Sequence, residues 1–342
     1  GNWYGDNSMY VYEWILDNRK DLSPVWCTNS EKVYLELSQR NMPVVRIWSF
    51  YALLLLLKSR VAFFTNSLKD FSIHPFIVHK HLNLIALRHG RSVKRIRFAR
   101  LGHEISDREK VERIYESKLI KHAISTSDFI SDLQEECLRI GRDKHVVTGY
   151  PRNDFLFNPS DDDRALWESY MAGRSFNKVV LYAPSWRHGR EHTRFFPFDD
   201  FSSMVLKSYL EDNGILLLLR PHVGELSNKG LKGFLEELCT ISENIEFAPH
   251  NIFPDVNTIL PFTDALISDY SALYHDYLLL DKPILMVPYD YDDFKQENGF
   301  LYDYKSNMPG PEISSLNGML SAVDDVVKGS DTHFESRHRL QD

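Results

Sequence analysis

Cysteine is scarce in this chain. Its 342 residues include three, Cys27, Cys137 and Cys239, far apart and without CxxC spacing. That pattern argues against a disulfide framework or a cysteine-based zinc site and suits a reducing compartment, so a cytoplasmic protein is expected. Long apolar runs are missing too. The longest, Ile47 to Leu57, is bounded by Arg46 and Lys58. It falls short of the roughly 20 residues a membrane span needs. It reads as a buried core helix, with an interfacial helix as the other reading. Net positive charge is absent: the formal charge is −8, which argues against nucleic acid as the main partner. The nucleotide and protease signatures GxxxxGK[ST], HExxH and GxSxG are absent as well.

What the sequence does contain is a soluble-protein composition, 43% hydrophobic and 26% charged, in a length that suggests about two domains. Basic residues concentrate in Arg88 to Arg100, where six arginines and lysines occur without an acid. An anionic ligand or a membrane surface is the expected partner of that run.

Periodicity gives a coarse map. Met9 to Asn18 has helical spacing. Val44 to Trp48, Val61 to Phe64, His81 to Leu87, Ala123 to Ser125 and Val146 to Thr148 read as strands. Tyr115 to Leu119 reads as the start of a helix, and Ser127 to Leu138 as a helix capped by Ser127 or Asp128. The polar stretch Asn158 to Arg164 marks a boundary, giving domains 1–172 and 173–342. In the second half, strands at Lys178 to Tyr182, Ile215 to Leu219, Ile245 to Phe247, Ala265 to Ile267 and Pro283 to Val287 alternate with helices. Continuous apolar strands alternating with helices predict parallel sheets covered on both faces. The fold class is therefore α/β, with two Rossmann-like domains facing a cleft.

Chemistry-bearing residues gather at the expected strand exits, where open α/β sheets bind ligands. In LISDYSAL (266–273), Asp269 and Ser271 stand where a strand ends and a helix begins, a setting that suits a phosphate. A plain helix cap is the competing reading. In LLLLRPH (216–222), Arg220 offers a planar fork for a pyrophosphate, and His222 a donor or proton carrier; a surface turn with a loose salt bridge is the alternative. In LYAPSWR (181–187), Ser185 and Arg187 leave another strand; a packing turn with Trp186 in the core is the alternative. In LRHGRSVK (87–94), His89 precedes Gly90 and is a candidate base for an acceptor hydroxyl, or a solvated histidine. Asp161 to Asp163 and Asp290 to Asp293 read as solvated loops rather than metal sites.

Several segments occur together in a familiar order: GYPRND (149–154), YAPSWR (182–187), RPH (220–222), SDYSA (268–272), KPI (282–284), YD (289–290) and PGP (309–311). In this the chain resembles the CDP-glycerol glycerophosphotransferase family of teichoic acid and capsule polymerases. His89-Gly90, followed here by Arg91-Ser92, is similar to that family's HGTP-type segment. Gly1 to Glu13 resembles the segment after its first strand. The resemblance implies that a strand precedes Gly1 and that a last helix follows Phe334 to Asp342.

It further implies a glycosyltransferase-B-like fold and transfer of a glycerol or ribitol phosphate from CDP-glycerol or CDP-ribitol. The acceptor would be the hydroxyl end of a polymer or a lipid-linked acceptor, and CMP would leave. Under that reading His89 and His222 are catalytic. Ser185, Arg187, Arg220, Asp269, Ser271 and Asp276 lie on the donor side, Asp276 facing the polyol or ribose hydroxyls. Arg88, Arg91 and Lys94 lie on the acceptor side. Neither a metal nor another cofactor is expected. The location would be the cytoplasm, with peripheral attachment to the inner face of the membrane. A nucleotide-sugar glycosyltransferase of the same fold and a non-catalytic scaffold of a surface-polymer machine are the alternatives.

Overall fold

The computed structural model describes residues 3–100, 105–187, 193–225 and 227–341. Gly1, Asn2 and Asp342, which the family resemblance also touches, lie outside the described residues. The chain forms two compact units: residues 1–91 with 95–154, and residues 92–94 with 155–342.

In the first unit, β1 (Trp26–Thr28) pairs in parallel with β2 (Val44–Arg46). Strands β3 (Val61–Phe64), β4 (Asn83–Ala86), β5 (Ile120–Ser125) and β6 (His145–Val147) form a parallel sheet in that order. The helix Asp6–Asn18 lies where helical spacing predicts it. Tyr115 to Leu119 ends a helix instead of starting one. That helix, Asp107–Leu119, begins at a Ser106 cap and carries Asp107 and Glu109 in its first turn, as the helix dipole favours. Its low hydrophobicity hid it from a search for apolar periodicity.

The expected core helix departs further. Phe50–Lys58 is helical and capped by Ser49, but only Ala52 and Leu56 are buried. Trp48 and Phe50 are 74% and 75% exposed, and Tyr51, Leu53 and Leu57 are exposed as well. A helix that is apolar all round gives its periodicity no way to say which face is covered.

In the second unit, β7 (Lys178–Tyr182), β8 (Ile215–Leu219), β9 (Ile245–Phe247), β10 (Ala265–Ser268) and β11 (Ile284–Met286) form one parallel sheet, ordered β11-β10-β7-β8-β9. Alternate residues feed two cores. Val180, Tyr182, Leu217, Leu219 and Ile267 pack on one face; Leu181, Leu216, Leu218 and Leu266 pack on the other. That double burial is why β8 reads as an unbroken apolar run. The chain grows from β7 to β9 on one side, then returns to add β10 and β11 on the other. The neighbours β7 and β10 therefore flank the topological switch point, where such sheets place ligands.

The division between units falls at 154/155, ahead of the expected 172/173. The polar stretch taken as a boundary is the start of a helix, Asp161–Met171, closed by a Ser160–Asp163 capping box. Leu166, Trp167, Tyr170 and Met171 of that helix pack on the second unit's core. The three aspartates read as a solvated loop form its first turn.

The PGP turn is held against β11 by backbone contact. Met286 N–H donates to Pro311 O, and Ile313 N–H to Met286 O, at 3.0 and 2.7 Å. A Cβ on Gly310 would lie 1.7 Å from Ile284 O, so only glycine permits this approach.

Candidate functional site

In the first unit the site grows from the end of β4. Leu87 and Arg88 follow the strand into the interior, and His89 emerges exposed. The backbone there is unusual: Arg88 has φ +59° and Gly90 φ +110°. Residues held in such regions persist only where their surroundings over-determine them. Here the surroundings are the N-terminus of the helix Asp6–Asn18. Asn7 Nδ2 donates to the carbonyls of Leu87 and Arg88 at 3.1 and 2.9 Å, and Asn7 Oδ1 accepts from Arg152 N–H at 3.1 Å.

Asp6 completes the arrangement. Its side chain is 2% exposed, and it accepts from its neighbour's backbone, Asn7 N–H, at 2.7 Å. One carboxylate oxygen meets His89 Nδ1. The other accepts from Arg152 at 2.8 Å. Burial alone would raise the Asp6 pKa, but the hydrogen bond and charge of His89 and the charge of Arg152 together hold it below the ordinary aspartate value. An ionised Asp6 fixes the proton of neutral His89 on Nδ1. Nε2 is then an acceptor, the tautomer a general base requires. Gly90 also keeps room for this network, because a Cβ there would lie 2.6 Å from Arg152 Nη2.

The expected acceptor-side residues separate. Arg91 is half-buried beside His89. Arg88 is buried instead of facing an acceptor, because the αL turn after β4 sends 88 and 89 in different directions. Lys94 belongs to the second unit, where it bridges antiparallel to Phe300.

In the second unit the exits of β7 and β10 meet through side chains. Asp269, 1% exposed, accepts from Ser185 N–H and Ser185 Oγ, both at 2.7 Å. Arg187 pairs with Asp269 at 2.7 Å through Nη1. Its Nε and Nη2 form a fork on Asp290 at 2.7 and 2.9 Å. The rings of Tyr270, Tyr289 and Phe294 lie about the guanidinium, 5.1, 5.0 and 5.2 Å from it. Burial opposes the charge on Arg187, but Asp269 and Asp290 outweigh it and raise its pKa. Arg187 and Asp269 are thus buried and committed to partners that knit the loop walls together. Asp290, expected in a solvated loop, is the second carboxylate of this triad.

Arg220 is also committed. It is buried and donates to Ala248 O and Phe253 O, each at 2.7 Å. Burial pulls its pKa down to about 10, with Asp255 opposing. It shapes the β8 exit where a direct pyrophosphate grip was expected. Asp276 is 3% exposed and does not face outward. Ser271 Oγ accepts from Leu273 N–H at 3.3 Å, a local turn ahead of a helix of only six residues, Leu273–Leu278.

His222 is the exposed member of the set. Its ring stacks on Trp186, 5.3 Å between centroids and 2° from parallel. Its Nδ1 accepts from Gly224 N–H at 3.0 Å. The neutral ring therefore carries its proton on Nε2, as a donor, the opposite polarity to His89. Trp186 is half-buried against this ring and not a core residue. Among the described residues no group of three His, Cys, Asp or Glu side chains could hold a metal ion.

The sequence named His89 and His222 as candidates, and both are exposed; it did not single out the partners Asp6, Asn7 and Asp290. GYPRND contained Arg152 without suggesting its role. A Gly-Asp-Asn sequence opening the helix, with Gly5 at its N-cap, was the available signal for Asp6 and Asn7. Asp290 stood in the YD segment (289–290) of the family resemblance, but nothing local indicated its pairing with Arg187.

The geometry can be set beside known proteins. The sequence profile of the CDP-Glycerol:Poly(glycerophosphate) glycerophosphotransferase family matches residues 1–342. The teichoic acid glycerol-phosphate transferase of Staphylococcus aureus is 24% identical, across 98% of this chain and 84% of that protein. The teichoic acid poly(ribitol-phosphate) polymerase of Bacillus spizizenii is 27% identical, across 77% of this chain but only 40% of its own length. A solved structure of the wall teichoic acid polymerase TagF, a variant soaked with CDPG, superposes with a TM-score of 0.75 at 21% identity, covering 99% of this chain and 80% of that one. The fold is glycosyltransferase-B-like α/β, and the chain belongs to the CDP-glycerol:poly(glycerophosphate) glycerophosphotransferase family.

Proposed function

We propose that His89 is the general base in the transfer of a polyol phosphate from a CDP-activated donor to a hydroxyl-ended teichoic acid-type polymer. The acceptor hydroxyl gives its proton to Nε2 as its oxygen attacks the polyol-bearing phosphorus. The bond from that phosphorus to the bridging oxygen breaks, and CMP leaves with the electron pair. Phosphoryl transfer asks the protein mainly for positioning and charge stabilisation. His222 Nε2–H serves as a donor to the phosphate oxygens. Arg187, Asp269 and Arg220 act by holding the loops that shape the donor site. This reading assigns no step to a metal or another cofactor.

The observation that carries the reading is the buried Asp6 carboxylate on Nδ1 of an exposed histidine. A merely solvated histidine has no need of a desolvated, doubly paired carboxylate behind it. The test is CMP release from CDP-glycerol and CDP-ribitol with a polymer or lipid-linked acceptor. Acceptor-dependent CMP from one donor, lost in His89→Ala, supports the reading and names the polyol. UDP release from a UDP-sugar, with no CMP, would refute it.

The same reading places the protein in the cytoplasm at the inner face of the membrane. No helix among the described residues is long and apolar enough to cross a membrane. Exposed Trp48, Phe50, Tyr51 and Leu57 support attachment at the surface. Flotation with anionic vesicles tests this, and a Trp48→Ser/Phe50→Ser variant that floats as well as the wild type would sink it.

A further inference from the structure

Arg88 has a consequence separate from the reaction. This arginine lines a small cavity in the first unit together with residues that include Arg97, Arg113, Glu116, Phe98 and Ile140. Three arginines thus face one carboxylate. That carboxylate is already engaged: Glu116 Oε2 accepts from Leu68 N–H at 3.1 Å and lies 3.8 Å from Arg113. Arg113 is shared with Glu109 at 3.6 Å. Arg97 donates to Asn66 O at 2.6 Å.

Arg88 is 8% exposed. Among the described residues no acceptor hydrogen-bonds its guanidinium, and no carboxylate lies within 4 Å of Arg88 or Arg97. Burial pulls the pKa of Arg88 down; it pulls that of Arg97 down to about 9, with Arg88 and Arg113 adding to the effect. Arginine does not respond by losing its proton. Glu116 compensates Arg88 and Arg97 only in part; a buried charge so weakly paired is destabilising, and a counter-ion would relieve it.

The cavity sets the size of that ion. Its free volume is about 10 Å³, room for about one water-sized particle. We propose that it binds one small monovalent anion, of chloride size, held by the guanidinium N–H groups of Arg88 and Arg97. The ion neutralises the interior behind the turn that carries His89. Arg88 O is itself tied to Asn7, so the site braces the same turn from its buried side.

Bromide is the probe for the position, because it scatters anomalously and replaces chloride. Crystals grown in bromide are expected to show an anomalous peak between Arg88 and Arg97. Thermal melts at fixed ionic strength supply the second readout. Chloride in place of gluconate is expected to raise Tm, and Arg97→Gln to weaken that response. Arg88→Met is expected to abolish it while raising Tm in gluconate, because it removes the unpaired charge. If Arg88→Met does not fold, the Arg97→Gln melts and the bromide map still decide. An empty cavity in the bromide map, with equal Tm in both salts, would overturn the proposal. Protection by inorganic phosphate but not by chloride would also overturn it, in favour of an oxyanion entering from outside.

Discussion

Asp6 and His89, 83 residues apart in the chain, meet through a carboxylate oxygen and Nδ1. This contact converts a surface histidine into an oriented one. Asp6 itself sits at φ +57°, a left-handed conformation that aspartate tolerates better than most residues. The pairing with His89, and then with Arg152, holds the pKa of the carboxylate down although it is buried. Asp6→Asn is therefore expected to leave the fold intact and to free the tautomer of His89. The expected loss in kcat is about 10²–10⁴-fold, the range of general acid–base contributions. Steady-state CMP release checks it; Asp6→Glu is expected to recover part of the loss, and unchanged kcat in Asp6→Asn would remove Asp6 from the mechanism.

The same ion pairs set a pH dependence of stability. The folded pKa of Asp6 lies below its unfolded value, which is near 3.9 for a model aspartate. Asp6 therefore contributes stability that is fully present above the unfolded value. That contribution disappears as pH falls through the folded value. The Tm difference between wild type and Asp6→Asn is expected to be constant near neutrality and to shrink in acid, below roughly pH 4. A difference that stays constant into strong acid would contradict the pairing.

Arg187, Asp269 and Asp290 form the corresponding structural knot in the second unit. Removing one partner of a buried pair leaves a charge without compensation, at a cost of about 3–5 kcal/mol. Arg187→Met is expected to lower stability by this amount. Arg187→Lys is expected to fall nearly as far, since an ammonium cannot replace the fork on Asp290. Urea unfolding measures both. If Arg187→Met instead keeps full stability and loses only donor affinity, Arg187 is a ligand contact.

The stacked pair Trp186 and His222 yields a prediction about donor binding. His222→Ala removes an exposed imidazole whose Nδ1 accepts from Gly224 N–H and whose Nε2 is therefore the donor. By analogy with single oxyanion donors, the expected loss in kcat is about 10²–10³-fold. Trp186→Leu removes only the platform and is expected to cost less, mainly through KM for the CDP-polyol. Equal losses in kcat from both variants would argue that His222 acts through packing.

Much of the architecture could be read without coordinates. The continuous apolar strands β7, β8 and β10 announced a parallel sheet because residues buried on both faces leave no alternation. Ser127 and the helix after it were legible because a capping side chain acts within a few residues. Helices without strong apolar periodicity, such as Asp107–Leu119, were not. His89 and His222 were legible as candidates because strand exits in such sheets meet ligands.

Residue type and local order alone determined the α/β class, the strand exits and the two histidines. Propensity, capping and strand burial act over short stretches of chain. Tertiary structure alone decided which charged residues are buried in pairs and which stay exposed. Arg187 and Arg220 are committed to protein partners, and Asp6 is the partner of His89. Charge interactions of this kind depend on distance in space and on exclusion of water. Residues 83 or 103 positions apart acquire both only when the chain folds.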